Sequence, residues 1–180
     1  LSTISMISNN ILLDIELDHC NTTEIKKSAK NITEYTQHLS ETIDDFSNFF
    51  KSDKVIEKLN IISILNQTFA IVGESLKNNS IEIQISYETE KKIEIYPREL
   101  MQVFINIIAN AKDALIVNNI DKPIIRMRVY EDEKYVNTQI CDNGGGINNE
   151  ILPKIFDPYF STKEEKNGTG LGLYMSKSII

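Results

Sequence analysis

Three stretches of this chain hold residue types that suit a nucleotide: Asn106-Ile-Ile-Ala-Asn110, Asp142-Asn-Gly144-Gly-Gly146 and Gly168-Thr169-Gly170-Leu-Gly172. Asp142 is a carboxylate set beside Gly144 and Gly146, and glycine lacks the Cβ that holds a backbone away from a ligand. Backbone of this kind can wrap a phosphate with its N–H groups. Gly168, Thr169, Gly170 and Gly172 read as a glycine turn entering a helix, whose free N–H groups and dipole favour an anion. Asn106 and Asn110 are four residues apart, a spacing that puts both amides on one face of a helix. Asparagine weakens a helix interior unless its side chain is used. A neutral amide oxygen suits Mg²⁺, which takes one or two protein ligands and bridges nucleotide phosphates. An isolated Asn-x-x-x-Asn is usually a solvated polar face; the two glycine segments downstream turn the balance towards ATP with Mg²⁺.

The elements that must position these residues follow from periodicity. Leu100, Val103, Phe104, Ile107, Ile108, Ala111, Ala114 and Leu115 recur at steps of three and four and predict the buried stripe of the helix that carries both asparagines. Alternation predicts strands over 54–60, 81–87 and 92–96, the last stopped by Pro97, with an amphipathic helix over 61–77 turning Ile64, Leu65, Thr68, Phe69, Val72 and Leu76 inward. Strands over 124–130 and 135–141 form a hairpin that delivers Asp142, and Cys141 reads as a buried strand residue. Between Ile147 and Asn167 lie about twenty residues, a length typical of a functional lid. Phe156-Asp-Pro-Tyr-Phe160 would pin it to the domain while its polar end moves. Lys163 is either a mobile charge for terminal phosphates or a solvated loop lysine.

The first fifty residues read differently. Ile25, Ile32, Leu39 and Phe46 repeat every seven residues, with Ala29, Thr36, Ile43 and Phe50 four places later, as in a bundle seam. Asn21 followed by Glu24 caps that helix, which leaves His19-Cys20-Asn21 as a turn after a first helix over 1–17 with Ile4, Ile7, Ile11 and Ile15. Two helices expose too much apolar seam to stand alone, and a homodimeric four-helix bundle would bury it.

The order Asn106-x-x-x-Asn110-Ala, Asp142-x-Gly144-x-Gly146, Phe156-Asp-Pro-Tyr-Phe-Ser-Thr-Lys163 and Gly168-Thr-Gly-Leu-Gly172 resembles the N, first glycine, F and second glycine boxes of the sensor histidine kinases of two-component systems. The resemblance implies an α+β chain: a Bergerat-type α/β sandwich that binds ATP, its mixed sheet covered on one face by helices, preceded by the antiparallel hairpin of the dimerisation and histidine-phosphotransfer domain. It implies domains at 1–52 and 53–180. Asn110 would be the Mg²⁺ ligand, Asn106 would support metal and phosphates, and Asp142 would accept from the adenine amine. Gly144 and Gly146 would admit the nucleotide, Gly168, Thr169, Gly170 and Gly172 would line its phosphates, and Lys163 would join them. The activity implied is transfer of the γ-phosphoryl of ATP to a histidine, for relay to an aspartate on a response-regulator receiver domain.

ATPases of the same fold place a Glu four residues before the metal-binding Asn, as the general base for water. Asn106 stands there and is not basic, which favours a phosphotransferase over the alternatives, a fold-related ATPase or a dimerisation module that binds nucleotide without phosphorylating anything. Neither His19 nor His38 lies in a motif like the family's H box, so both read as bystanders. The chain reads as starting just after that box and ending before the family's last strands, hence as a piece of a larger sensor that binds ATP without labelling itself. Composition agrees. Among 180 residues 41% are hydrophobic and the net charge is −7 without a basic cluster, which argues against nucleic acid. Cys20 and Cys141 suggest no disulfide or metal framework. No apolar run looks long enough to span a membrane, so this part is expected in the cytoplasm, without membrane contact, whether or not its parent is anchored.

Overall fold

A computed structural model describes residues 2–17, 21–50, 55–163 and 169–180, the side chains of residues 2, 38–39 and 41–50 excepted. His19, Cys20, Lys54 and Gly168, and the side chains of His38, Leu39, Ile43, Phe46 and Phe50, lie outside the described residues. The chain divides into two compact units, one of Leu1–Lys51 with Thr162–Thr169, the other of Ser52–Ser161 with Gly170–Ile180.

The helical unit consists of α1 (Ser2–Glu16) packed on α2 (Thr22–Phe50). Asn21 opens α2 as its spacing predicts, accepting at Oδ1 from the Thr23 N–H at 3.0 Å and satisfying one of the orphan donors of the first turn. Ile4, Ile7, Ile11, Ile25 and Ile32 are half-buried. Thr36 faces solvent and returns its hydroxyl to the Ile32 carbonyl at 2.8 Å. Met6, Leu12, Leu13 and Ile15 on α1, and Leu17 just beyond its end, stay at least half exposed.

The sheet unit runs β1 (Glu57–Asn60), α3 (Ile61–Asn78), β2 (Glu82–Tyr87), β3 (Lys92–Ile95), α4 (Pro97–Val117), β4 (Ile124–Glu131), β5 (Val136–Asp142) and α5 (Gly172–Ile179). β1 and β3 pair antiparallel, while β2, β4 and β5 form a mixed sheet in the order β2-β4-β5, parallel on one side of β4 and antiparallel on the other. β4 sets the two faces. Ile125, Met127 and Val129 are buried, whereas Arg126 and Arg128 are exposed, the period-two signature of a sheet covered on one side. The cover is α3 and α4. Asn60 caps α3 by accepting from the Ser63 N–H at 3.0 Å, and Pro97 occupies the first turn of α4, where its missing donor costs nothing. Ile64, Leu65 and Leu76 from α3 meet Phe104, Ile108 and Leu115 from α4 over Ile125 and Val129. Each such burial contributes roughly 1.5–3 kcal/mol.

Three expectations need correction. Cys141 is exposed, because register pairs it with Arg126 and so turns it to the open face, while its neighbour Ile140 pairs with Met127 and faces the helices. Ile107 and Ala114 are half-buried rather than buried, since they flank the stripe. The 21 residues of α4 are long and apolar enough to match a membrane span by length and composition. Their apolarity is that of a helix inside the core, where Leu100, Val103, Phe104, Ile108, Ala111 and Leu115 are buried.

Candidate nucleotide site

Helix α4 is the spine of the site. Asn106, Asn110 and Ala114 lie on one face of it, each about 6 Å from the next along the axis. At the first of them, Asn106 Nδ2 donates to the Gly172 carbonyl at 3.2 Å, which joins the second glycine segment to α4. At the last, Gly144 approaches so closely that an added Cβ would lie 3.0 Å from the Ala114 Cβ and 2.9 Å from Asp142 Oδ1. Asn110, half-buried, stands between. The two glycine segments thus meet α4 roughly 12 Å apart, with an amide midway.

The Asp142 loop is built by its own hydrogen bonds. Asp142 ends β5 and accepts at Oδ1 from the Gly144 N–H at 2.8 Å. Gly145 and Gly146 follow with φ of 100° and 76°, so the loop turns away after Gly144 through conformations that side chains disfavour. Two asparagines that the sequence reading passed over hold it. Asn118, at the end of α4, donates from Nδ2 to the Gly144 carbonyl at 2.6 Å. Asn143 accepts from the Ile124 N–H at 2.9 Å and donates to the Lys122 carbonyl at 2.9 Å. Asparagine beside glycine is itself a signal for side-chain-to-backbone bonding in turns, and could have identified Asn143; Asn118 carries no comparable signal.

At the other end, Gly170 adopts φ 67° and packs on the backbone of Tyr159. Lys177 of α5 sits over the Phe156 ring, 5.3 Å from its centroid, a cation–π contact. Phe156 of the aromatic segment thereby touches α5. Gly172 has no such steric demand, because a Cβ there would make only ordinary contact with Asn106 at 3.6 Å. Of the remaining expected residues, Lys163 and Thr169 are half-buried and belong to the helical unit, and Gly168 is outside the described residues.

The donor set fits Mg²⁺ in one way. Among the described residues no three His, Cys, Asp or Glu side chains gather, so nothing here makes an all-protein cage. An amide oxygen beside a polyphosphate does suit a metal that keeps most of its shell from waters and phosphates. Asn106 Oδ1 already accepts from Gln102 Nε2 at 3.3 Å.

Residues 95–180 match the family of histidine kinase-, DNA gyrase B- and HSP90-like ATPases. Two-component sensor PprA of Pseudomonas aeruginosa is 36% identical over 114 residues, 61% of this chain and 12% of that protein. Sporulation kinase A of Bacillus subtilis is 34% identical over 134 residues, 72% of this chain and 21% of that protein. The chain therefore spans a small part of the length of these relatives. Among solved structures, the catalytic domain of histidine kinase ThkA superposes with a TM-score of 0.60 at 25% identity, over 70% of this chain and 80% of that one. With α3 and α4 on one face of a mixed sheet and two glycine segments anchored to the asparagine helix, the chain carries the Bergerat-type ATP-binding catalytic domain of the two-component sensor histidine kinases.

Proposed function

We propose that this chain binds Mg-ATP along α4 and presents the γ-phosphoryl for transfer to a histidine, from which a response-regulator receiver domain takes it. The observation that carries the reading is the line of Asn106, Asn110 and Ala114, whose two ends touch the two glycine segments. Asp142 would accept from the adenine amine, the glycine turn that opens α5 would hold the phosphates, and Asn110 would hold Mg²⁺. When bound, the metal neutralises charge on the transferring phosphates, so the chain's own task is to position and to supply N–H donors. Hydrolysis is disfavoured. Asn106 occupies the place of a general base, yet an amide takes no proton at neutral pH and its oxygen is engaged by Gln102. The proposed domains are 1–52 and 53–180, the first dimerising through its two helices, with the chain in the cytoplasm.

Asn110→Ala tests the metal. Affinity for a non-hydrolysable ATP analogue falls by about tenfold or more with Mg²⁺ present and far less with EDTA, because only the metal-bridged phosphates lose an anchor. Titration calorimetry under both conditions, with circular dichroism to confirm folding, reads the difference; equal losses remove Asn110 from the metal site. With radiolabelled ATP, this chain alone gives neither acid-labile label on His19 or His38 nor rapid release of phosphate. Rapid release without labelling would make it an ATPase.

A further inference from the structure

Ser176 is a buried polar residue that the glycine segments and the asparagine pair leave unexplained. It lies one turn into α5 and is only 5% exposed. Its hydroxyl donates to the Gly172 carbonyl at 2.8 Å, a local bond common for serine in helices. The same oxygen accepts from Asn106 Nδ2 at 3.3 Å, which makes the contact tertiary. Asn106 Nδ2 also donates to the Gly172 carbonyl, while its Oδ1 accepts from Gln102. A carboxamide offers two N–H donors and one oxygen, and here both ends are engaged by protein. Turning the amide to offer its oxygen elsewhere would leave Ser176 and Gly172 without their α4 partner in a buried seam.

We propose that Ser176 and Gln102 are positioning residues that lock Asn106 as a strut between α4 and the first turn of α5, so that Asn106 serves the phosphates by fixing the glycine turn rather than by touching the metal. The inference rests on the ATP-site reading above. It differs from a plain packing role in what it predicts. A strut for the phosphate-holding turn matters more to a triphosphate than to AMP, whereas lost packing lowers stability without regard to the ligand. It also makes the effect of Ser176 depend on Asn106.

The test is a double-mutant cycle on the whole chain, with Ser176→Ala, Asn106→Ala and the pair, each titrated with a non-hydrolysable ATP analogue and, by competition, with AMP. Ser176→Ala weakens the analogue by about five- to tenfold and AMP by about twofold at most, and adds nothing once Asn106 is alanine. Ser176→Thr, which keeps the hydroxyl, restores most of the loss. Equal losses for both ligands, additive losses in the pair, or wild-type affinity in Ser176→Ala would overturn the strut. If Ser176→Ala does not fold, Gln102→Ala carries the same comparison from the half-buried end of the network. A wild-type chain that binds neither ligand refutes the ATP-site reading itself, an outcome distinct from all of these.

Discussion

Asp142→Asn weakens binding of a non-hydrolysable ATP analogue by about 1.5–3 kcal/mol, roughly one to two orders of magnitude in affinity. The substitution is informative because it spares the loop. Asp142 Oδ1 accepts from the Gly144 N–H, and an asparagine oxygen can do the same. With that oxygen committed, the other end of the side chain becomes an NH₂ donor. An adenine amine is also a donor, so the variant replaces a charged acceptor by a group that opposes the ligand. The turn through Gly145 and Gly146 and the bond from Asn118 to the Gly144 carbonyl persist, and thermal unfolding stays near wild type. Calorimetry with and without the substitution measures the effect. Unchanged affinity would place the adenine elsewhere.

How much of this was legible in the sequence depended on whether a residue's partner is near it in the chain. The stripe of α4 is a periodic signal, and its six buried residues are among the eight expected. Asn60 and Asn21 cap helices that begin within three residues of them. The identity of Asn106 as a used asparagine was readable, because its type is costly in a helix interior. Its partners were not, since Gly172 and Ser176 lie 66 and 70 residues away and only the packing of α5 on α4 brings them together. Cys141 failed for a related reason. Strand residues alternate between faces, but which face is covered depends on the register with β4, and that pairing set Cys141 opposite Arg126. The composition of α4 was ambiguous in the other direction: a core helix and a membrane span satisfy the same count of apolar residues, and contacts with α3 and Ile125 decide what they pack against here.

Gly170→Ala lowers the stability of the sheet unit by roughly 2–5 kcal/mol, through left-handed strain and overpacking together. Gly170 has φ 67°, and a Cβ built there would run into the Tyr159 carbonyl carbon and lie 2.7 Å from its Cα. Those are backbone atoms, so no side-chain rotation relieves the clash; either the glycine segment or the 156–160 segment must move. Tyr159 has little latitude, being itself held at φ 66°. Movement of the glycine segment displaces the turn that opens α5, and ATP affinity falls with the midpoint of thermal unfolding. Gly73→Ala is the control. It lies within α3, nothing stands within 4 Å of an added Cβ, and its φ is outside the left-handed range. An alanine there stabilises the helix by about 0.5–1 kcal/mol and leaves nucleotide binding unchanged. The two substitutions add the same methyl group and are expected to move the melting temperature in opposite directions. Scanning calorimetry of the two variants compares them directly, and a Gly170→Ala protein as stable as wild type would mean that the glycine turn and Tyr159 do not meet.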